Sequence, residues 1–479
     1  MANFETRLFI NGKYTDAHAG SRLTCYNPVD GSVVTSDVHV AGKEDIDAAV
    51  AAARAAFPGW ANTPPQQRTT LMLRLADLID KNANEIARLE MLCTGKPKIQ
   101  TPFETGLGSS IFRYYAGWCD KIGGESYPTQ NGFMRIIRRE PIGVCAGIFA
   151  FNGSIVQLSM KCAACLATGN TVIVKGSEKT PLAVLFFGKL INEAGFPPGV
   201  FQAIAGAGET GALLASHMGV DKISFTGSVD TGKKIAQAAA ASNLKKVTLE
   251  LGGKSPSIVF PDANLNIAVE WCTRGITLNT GQACIASSVV YVHKDIREKF
   301  LNMMKEAFRQ LDHVIGDPDS NNTKISTVVD KIQFDHIMKY IEDGKTEATL
   351  IAGGERIGNK GCFIKPTIFV DPEPNARILK EEIFGPVLVI REFTEEEDVI
   401  AKANETEFGL SGAVFSQDIN RALRVSSRIE SGTMCINCCT MIEATVAFGG
   451  YKSSGWGREL GKVSRDFYSL ENKCTNSTL

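Results

Sequence analysis

The sequence lacks an excess of charge of either sign, because 51 lysines and arginines face 52 aspartates and glutamates, for a formal net charge of −1. This balance gives no electrostatic reason to expect a nucleic-acid or membrane-surface partner. Long apolar runs are also missing, since stretches such as residues 142–151 are short and broken by glycine. Crossing a bilayer takes roughly 18 consecutive apolar residues. We therefore expect no membrane and no nucleic acid among the partners.

A secretory leader and a disulfide framework are missing too. The first 14 residues have neither the basic start nor the continuous apolar stretch of a signal peptide. Thirteen cysteines are scattered without metal-like or paired spacing. We therefore expect no metal and a reducing compartment, the cytoplasm. Cys162 and Cys165 fall on one face of a predicted helix, which favours core packing over redox or metal chemistry.

The 479 residues are too many for one core, so two or three compact units are expected. No internal repeat or long linker divides the chain. Residues 45–94 have helical patterns, and short β-rich runs then alternate with amphipathic helices through residues 142–260. This alternation predicts a parallel sheet with helices on both faces, which binds ligands at the carboxyl ends of its strands. A second alternating region spans residues 289–415.

Residues 123–141 interrupt this pattern with two extended runs around a turn at residues 128–132. The pattern predicts a hairpin that leaves the body of the molecule. From the pattern alone, the hairpin either pairs with another subunit or forms a simple surface flap.

Two glycine-rich turns are suited to a dinucleotide. Gly206, Gly208 and Gly211 fit the pattern G-x-G-x-x-G between a predicted strand and a predicted helix. The second turn runs from Phe225 to Ser228, where a helix start offers main-chain N–H groups and a hydroxyl to a pyrophosphate. Each turn alone could serve only tight packing, but two in one sheet favour nucleotide binding.

Four residues with reactive or polar side chains have two interpretations each. Lys175 and Glu178 follow a buried strand and are either ribose ligands or solvated loop residues. Glu250 stands among apolar neighbours, where a desolvated carboxylate can act as a general base, or it is paired with Lys254 or another cation. Cys284 follows a glycine-containing loop and is either a nucleophile or a structural cysteine.

The order and spacing of these segments resemble the aldehyde dehydrogenase superfamily, over nearly the whole chain. The most specific segments are LELGGKSP (249–256), GQAC (281–284), EEIFGPV (381–387) and FGGYKSSG (448–455). The resemblance implies an α/β fold with two parallel-sheet domains and a small bridging and oligomerisation arm. It divides the chain into an NAD-binding domain (1–122 and 142–251), a catalytic domain (252–461) and the arm (123–141 and 462–479). A homodimer or homotetramer is then expected.

The resemblance also implies the chemistry, which is oxidation of an aldehyde to a carboxylic acid with NAD. Cys284 matches the nucleophile that carries the thiohemiacetal and the thioester, and Glu250 matches the base that activates water. Asn152 matches the amide that stabilises the oxyanion, and Lys161 matches a lysine on the proton route. The other residues that match cofactor contacts are Phe149, Phe151, Lys175, Glu178, Gly208, Gly211, Phe225, Ser228, Leu251, Glu382 and Phe384. A carboxylate at Glu178 would repel a 2′-phosphate, which favours NAD over NADP.

The sequence departs from the family around Asn152 and along the substrate tunnel. The family's P-W-N-x-P is replaced by Ala-Phe-Asn-Gly-Ser at residues 150–154, and Ala447 stands where a proline usually precedes Phe448. Small or aliphatic residues replace aromatic ones on the tunnel wall, which predicts a bulky aldehyde unless neighbouring loops refill the space. The predicted substrate contacts are Gly153, Gln157, Met160, Leu278, Ile442 and Phe448, with Thr277 and Glu443 as further polar candidates.

Three other functions fit the resemblance less well. An enzyme that passes the acyl group to coenzyme A would not need the base Glu250. A non-catalytic binding subunit would not need the set Cys284, Glu250, Asn152 and Glu382. The altered tunnel could also serve a related thiol-dependent reaction on another metabolite.

Overall fold

The computed structural model describes residues 4–477, in which helices and strands alternate along most of the chain. The strands are β1 (Leu8–Ile10), β2 (Lys13–Thr15), β3 (Arg22–Tyr26), β4 (Val33–His39), β5 (Glu125–Gln130), β6 (Phe133–Pro141), β7 (Val144–Ile148), β8 (Thr171–Lys175), β9 (Phe201–Ile204), β10 (Lys222–Thr226), β11 (Lys246–Glu250), β12 (Pro256–Val259), β13 (Val289–His293), β14 (Thr349–Ala352), β15 (Thr367–Val370), β16 (Val387–Phe393), β17 (Ser411–Phe415), β18 (Thr433–Ile436) and β19 (Ser469–Ser477). The helices are α1 (Lys43–Ala61), α2 (Pro65–Lys81), α3 (Ala83–Thr94), α4 (Thr101–Ala116), α5 (Ser154–Ala167), α6 (Pro181–Ala194), α7 (Gly208–Ser216), α8 (Val229–Ala241), α9 (Leu265–Thr277), α10 (Arg297–Leu311), α11 (Lys331–Glu347), α12 (Arg377–Lys380), α13 (Glu396–Asn404), α14 (Ile419–Ser426) and α15 (Gly461–Phe467).

The first sheet has the strand order β11-β10-β7-β8-β9-β1-β2. Strands β7 to β11 pair in parallel, and the short β1–β2 hairpin adds an antiparallel edge. Strands β7 and β8 are buried along their whole length, as expected for central strands that helices cover on both faces. The predicted parallel sheet is confirmed.

The second sheet has the order β14-β15-β16-β13-β12-β17-β18, with β14 as its antiparallel edge. Separate hydrophobic clusters cover its two faces, one around Ile337 and Val389 and the other around Phe300 and Val290. The α/β fold with two parallel-sheet units, expected from the sequence, is confirmed by this arrangement. The chain passes from the first sheet to the second through residues 251–255, so both sheets meet at the segment LELGGKSP.

The segment 123–141 forms the predicted hairpin from β5 and β6. Asn131 and Gly132 turn it with φ of 56° and 76°, the left-handed pair that suits a two-residue hairpin turn. Strand β19 pairs antiparallel with β6, from Ser469 opposite Pro141 to Ser477 opposite Phe133. The hairpin and the C-terminal segment therefore form a three-stranded sheet of their own.

Helix α5 is buried on every side and packs into the hydrophobic core around the first sheet. Cys162 and Cys165 lie on it, and both are fully buried. Burial raises the pKa of both thiols, which fits the predicted packing role. Within residues 4–477 no helix combines the length and the apolar content that a membrane crossing requires.

Candidate active site

Cys284 lies beyond a strained turn at the end of α9. Asn279, Thr280 and Gly281 are consecutive left-handed residues, with φ of 50°, 55° and 72°. A side chain at Gly281 would overlap the main chain of Gly385, so glycine is required there. The side-chain oxygen of Gln282 accepts a hydrogen bond of 2.9 Å from the main-chain N–H of Val329. The turn therefore fixes the backbone that carries Cys284.

The Cys284 side chain is only partly buried, whereas most of the other cysteines are fully buried. Desolvation by the surrounding residues, and then the charges of Glu382 and Glu250, raise the pKa of its thiol to about 12, while the main-chain N–H groups of Cys284 and Ile285 act against this. The thiol is therefore protonated at rest and needs a base that accepts its proton.

Glu250 ends β11 with a carboxylate that is 3% exposed. Neither of its oxygens has a hydrogen-bond partner within the described residues. Burial raises the pKa of this carboxyl well above its usual value, and the charge of Glu459 acts in the same direction. The alternative of a pair with Lys254 is not realised, because the Lys254 ammonium donates to the carbonyl of Ile378 at 2.7 Å. A buried carboxyl without partners is the kind of group that serves as a general base near neutral pH.

Lys161 belongs to a buried polar cluster whose charges act on Glu250. Its ammonium donates to Glu459 Oε1 at 2.8 Å and to Ser224 Oγ at 3.2 Å. The Ser224 hydroxyl donates to the same carboxylate oxygen at 2.6 Å. Glu459 was not predicted as a site residue; the available signal was that it is the one carboxylate in the glycine-rich segment 455–461.

Asn152 lies in a single 3₁₀ turn, Phe151–Gly153, just before α5. Its side-chain amide donates to the carbonyl of Gln282 at 3.0 Å, which brings it next to the Cys284 loop. Its main-chain carbonyl accepts hydrogen bonds from Lys96 Nζ at 3.2 Å and from Asn279 Nδ2 at 3.0 Å. The amide expected to hold an oxyanion is thus beside the expected nucleophile.

Gln157 differs from its expected role as a polar substrate contact. Its Nε2 donates to Asn152 Oδ1 at 2.8 Å, and its Oε1 accepts from the main-chain N–H of Ala150 at 3.0 Å. Both ends of the amide are therefore engaged by the Asn152 turn. Only one amide hydrogen is left for a substrate.

The other predicted substrate residues differ in exposure. Met160 and Phe448 are buried, while Leu278 and Ile442 are half-buried. A Cβ at Gly153 would find its nearest neighbour, Gln157 Nε2, at 3.8 Å.

Two further polar candidates near the tunnel differ in how far they are free to contact a substrate. The hydroxyl of Thr277 donates to the carbonyl of Thr273 at 2.8 Å and is thus already used, whereas Glu443 is exposed.

Glu382 lies close enough to Cys284 for its charge to act on the thiol, and Phe384 follows two positions later. Glu382 Oε1 accepts a hydrogen bond of 2.9 Å from the main-chain N–H of Gly253, and a side chain at Gly252 would overlap its carboxylate. Burial raises the pKa of Glu382 to about 7. The ring of Phe384 meets that of Phe151 edge to face, with centroids 5.9 Å apart.

The glycine-rich turns and the predicted ribose ligands lie at the carboxyl ends of the first sheet. The hydroxyl of Ser228 caps α8 by accepting from Thr231 N at 3.4 Å. Lys175 ends β8 with its ammonium 3.8 Å from the half-exposed carboxylate of Glu178. Burial lowers the pKa of Lys175.

Small and apolar residues lie at the same edge of the first sheet, the candidate cofactor groove. A Cβ added at Gly208 would meet open space. A Cβ added at Gly211 would lie 3.8 Å from the Ile148 side chain and 4.0 Å from that of Lys175. The remaining predicted cofactor residues are buried beneath the groove and are Phe149, Phe225 and Leu251.

This groove fits a dinucleotide on structural grounds. The 13-residue helix α8 presents a capped N-terminus, which favours a phosphate. The carboxylate of Glu178 offers acceptors for ribose hydroxyls at one end, and Glu382 offers them at the other, beside Cys284. Several of the predicted cofactor residues thus lie at the carboxyl ends of the first sheet's strands, and the charge of Glu382 acts on the Cys284 thiol.

Comparisons with known proteins agree with this geometry. Residues 14–473 match the model of the aldehyde dehydrogenase family. An aldehyde dehydrogenase from Emericella nidulans is 45% identical over 468 residues, which cover 97% of this chain and 93% of that protein. Human retinal dehydrogenase 2 is 45% identical over 471 residues, which cover 97% of this chain and 90% of that protein.

Solved structures show the same likeness. A putative aldehyde dehydrogenase from Burkholderia cenocepacia superposes with a TM-score of 0.97 at 37% identity, over 99% of this chain and 98% of that one. An indole-3-acetaldehyde dehydrogenase from P. syringae, solved with NAD⁺ and IAA, has a TM-score of 0.97 at 35% identity, over 99% and 97% of the two chains. The resemblance that the sequence motifs indicated is confirmed. The chain belongs to the aldehyde dehydrogenase family and is an NAD-dependent enzyme that oxidises an aldehyde to a carboxylic acid.

Proposed function

We propose that Cys284 is the nucleophile of this oxidation and that Glu250 is its general base. The observation that carries the proposal is the unpaired, buried carboxyl of Glu250, whose charge acts on the Cys284 thiol. Because its pKa is raised, Glu250 can take the thiol proton as the sulfur attacks the aldehyde carbon.

The oxyanion that forms in this attack is held by two donors. One is the side-chain amide of Asn152, and the other is the main-chain N–H of Cys284. Removing one donor of this kind costs a factor of roughly 10²–10³ in rate. A bound nicotinamide dinucleotide supplies the two-electron oxidant that converts the thiohemiacetal into a thioester.

Glu250 first releases the thiol proton. As a carboxylate again, it removes a proton from water, and the oxygen of that water attacks the thioester carbonyl. The carbon–sulfur bond breaks, Cys284 is released, and the acid leaves. The buried cluster of Lys161, Glu459 and Ser224, joined by hydrogen bonds of 3.2 Å or less, would line the route of the released proton. A water molecule would link it to Glu250, which has no hydrogen-bond partner within the described residues. Formation of acyl-coenzyme A instead of free acid would contradict the role of Glu250.

Residues along the candidate cofactor groove would each contact a different part of the dinucleotide. Lys175 and Glu178 would hold the adenosine ribose, Ser228 and the start of α8 the pyrophosphate, and Glu382 the nicotinamide ribose. Phe384, which meets Phe151 edge to face, would support the nicotinamide ring. The carboxylate of Glu178 would repel a 2′-phosphate, so NAD is the preferred cofactor.

The substrate we propose is a bulky, largely apolar aldehyde. Gly153, Leu278 and Ile442 place no aromatic side chain at three positions of the tunnel wall, and Gly153 has room for a Cβ. Relatives whose names state a large substrate, retinal dehydrogenase 2 and indole-3-acetaldehyde dehydrogenase, support this size class.

A panel from acetaldehyde to polycyclic aldehydes, assayed at fixed NAD, tests the substrate class. We expect the large aldehydes to have the higher kcat/KM, and Gly153→Phe to lower it for them while sparing acetaldehyde. A preference of the parent enzyme for acetaldehyde would show that neighbouring loops refill the tunnel. No turnover with any member would favour a binding role or another thiol-dependent reaction.

We also propose that the domain boundaries expected from the sequence hold and that the three-stranded sheet is the oligomerisation arm. Three large apolar side chains on its hairpin, Tyr127, Phe133 and Met134, are exposed and would be covered by a second copy of the chain. A homodimer or homotetramer in the cytoplasm is the expected state. Sedimentation of the purified protein tests the assembly, and a monomer would contradict it.

A further inference from the structure

Three amides form a directed chain of hydrogen bonds that ends beside Cys284. The main-chain N–H of Ala150 donates to Gln157 Oε1 at 3.0 Å, and Gln157 Nε2 donates to Asn152 Oδ1 at 2.8 Å. Asn152 Nδ2 then donates to the carbonyl of Gln282 at 3.0 Å. We propose that Gln157 is a positioning residue that sets the orientation of the Asn152 amide; this rests on the oxyanion role of Asn152 proposed above.

The two ends of the chain determine its direction. The N–H of Ala150 can only donate, and the carbonyl of Gln282 can only accept. The side-chain oxygen of Gln157 must therefore face Ala150, and the side-chain nitrogen of Asn152 must face Gln282. Rotating either amide by 180° would bring two acceptors or two donors together, so a single arrangement satisfies every group.

This direction leaves the Asn152 amide ready for an oxyanion. One hydrogen of Nδ2 is used by Gln282, and within the described residues the other has no protein acceptor. Because hydrogen bonds in series polarise one another, the link to Gln157 also strengthens the remaining N–H as a donor. The segment contains Ala150 and Ser154 where the family pattern has prolines, and Gln157 thus supplies a restraint on Asn152 that a rigid backbone would otherwise provide.

The position of Gln157 suits this role better than a direct substrate contact. It lies in the first turn of α5, which starts at Ser154, and its side chain folds back over the turn that precedes the helix. Its amide oxygen is used by Ala150, and its amide nitrogen is used by Asn152. A residue that acts only through Asn152 should affect catalysis only when Asn152 is present.

A double-mutant cycle tests this dependence. Gln157→Met keeps the length of the side chain and removes both hydrogen bonds. We expect it to lower kcat/KM about tenfold, with KM little changed, in an enzyme that has Asn152. In the Asn152→Ala background the same change should alter the rate by less than about twofold.

Cleavage of p-nitrophenyl acetate by the Cys284 thiol gives a readout that needs no cofactor, and it should follow the same pattern. Ser159→Ala is the matched control, because it removes a buried hydrogen bond of 2.8 Å on the same helix that does not involve Asn152. It should leave both activities near those of the parent. The alkylation rate of Cys284 by iodoacetamide should also be unchanged in Gln157→Met, which would show an intact nucleophile.

Gln157→Glu provides an independent test if the methionine variant does not fold. The introduced carboxyl can donate to Asn152 Oδ1 only while it is protonated. The activity of this variant relative to the parent should therefore fall as the pH rises through the pKa of the new group. A ratio that does not depend on pH would overturn the proposal.

Two outcomes separate this proposal from the one on which it rests. If Asn152→Ala itself costs less than about twofold, the oxyanion assignment fails and the role of Gln157 fails with it. If Asn152→Ala costs a factor of 10² or more and Gln157→Met is equally harmful in both backgrounds, only the positioning role is wrong. A change confined to KM would also overturn it, because that result marks a substrate contact.

Discussion

The ammonium of Lys96 donates a hydrogen bond of 3.2 Å to the main-chain carbonyl of Asn152 from a position with no exposed side-chain surface. The same ammonium donates to both oxygens of Glu104, at 2.8 and 2.6 Å, and lies 3.5 Å from Glu90. Burial acts to lower the pKa of Lys96, but Glu104 and Glu90 outweigh it and raise this pKa. A buried charge cluster thus anchors the turn that carries the oxyanion donor.

Replacing Lys96 by methionine should destabilise the protein by about 3–5 kcal/mol, because it leaves two carboxylates buried without their cation. Denaturation in urea measures this loss. Lys98→Met, which removes an exposed pair with Asp319, is the matched control and should cost less than about 1 kcal/mol. Equal stability of the two variants would show that the cluster does not anchor the turn.

The acid limb of the pH–rate profile should lie well above pH 4.5, because burial raises the pKa of Glu250 and only its charged form is a base. Activity is expected to fall as the pH drops through that raised value, and Glu250→Gln should lack the limb. The same raised pKa acts on the stability of the fold in the opposite direction to its action on activity. Above the unfolded pKa the unfolded state loses this proton more readily than the folded state, so Glu250 makes the fold less stable as the pH rises. A limb near pH 4.5 would argue against Glu250 as the base.

Removing the carboxylate of Glu178 should change the choice between cofactors. In Glu178→Ala we expect kcat/KM with NADP to rise relative to that with NAD, since the charge that repels a 2′-phosphate is gone. Glu209→Ala, at the start of α7, removes a carboxylate that has no proposed cofactor contact and serves as the control. An unchanged ratio of the two kcat/KM values in Glu178→Ala would refute the ribose assignment.

Much of the fold could be predicted from the sequence, because the hydrophobic periodicity of a strand or a helix is visible within a short stretch of residues. Strands and helices alternate within the predicted regions 142–260 and 289–415, and the glycine turns before α7 and α8 lie where the strands end. The motif residues Cys284 and Glu250 could be assigned because the family pattern surrounds them. No local signal, in contrast, brings distant side chains together.

Three features of the site depend on such distant contacts. The partner of Lys161 is Glu459, almost 300 positions further along the chain. Lys96 reaches Asn152 across 56 positions, and nothing near either residue marks the contact. The family resemblance predicts that Gln157 faces the substrate tunnel, but no local pattern shows that its amide bonds to Ala150 and Asn152.

The step on which the proposed mechanism depends is the hydrolysis of an acyl group on Cys284 by water that Glu250 activates. Glu250→Gln also removes a charge that raises the pKa of the Cys284 thiol, so at alkaline pH hydroxide can take the thiol proton and the thioester still forms. Its hydrolysis should be slower by a factor of about 10²–10⁴, and the thioester should accumulate. The most direct measurement is the intact mass of this variant, quenched in acid after mixing with NAD and an aldehyde, followed by mapping of the modified peptide. We predict an added mass equal to the acyl group, located on Cys284 and absent in the double variant Glu250→Gln, Cys284→Ser. Full turnover by Cys284→Ser, or an acyl group on another residue, would contradict the account.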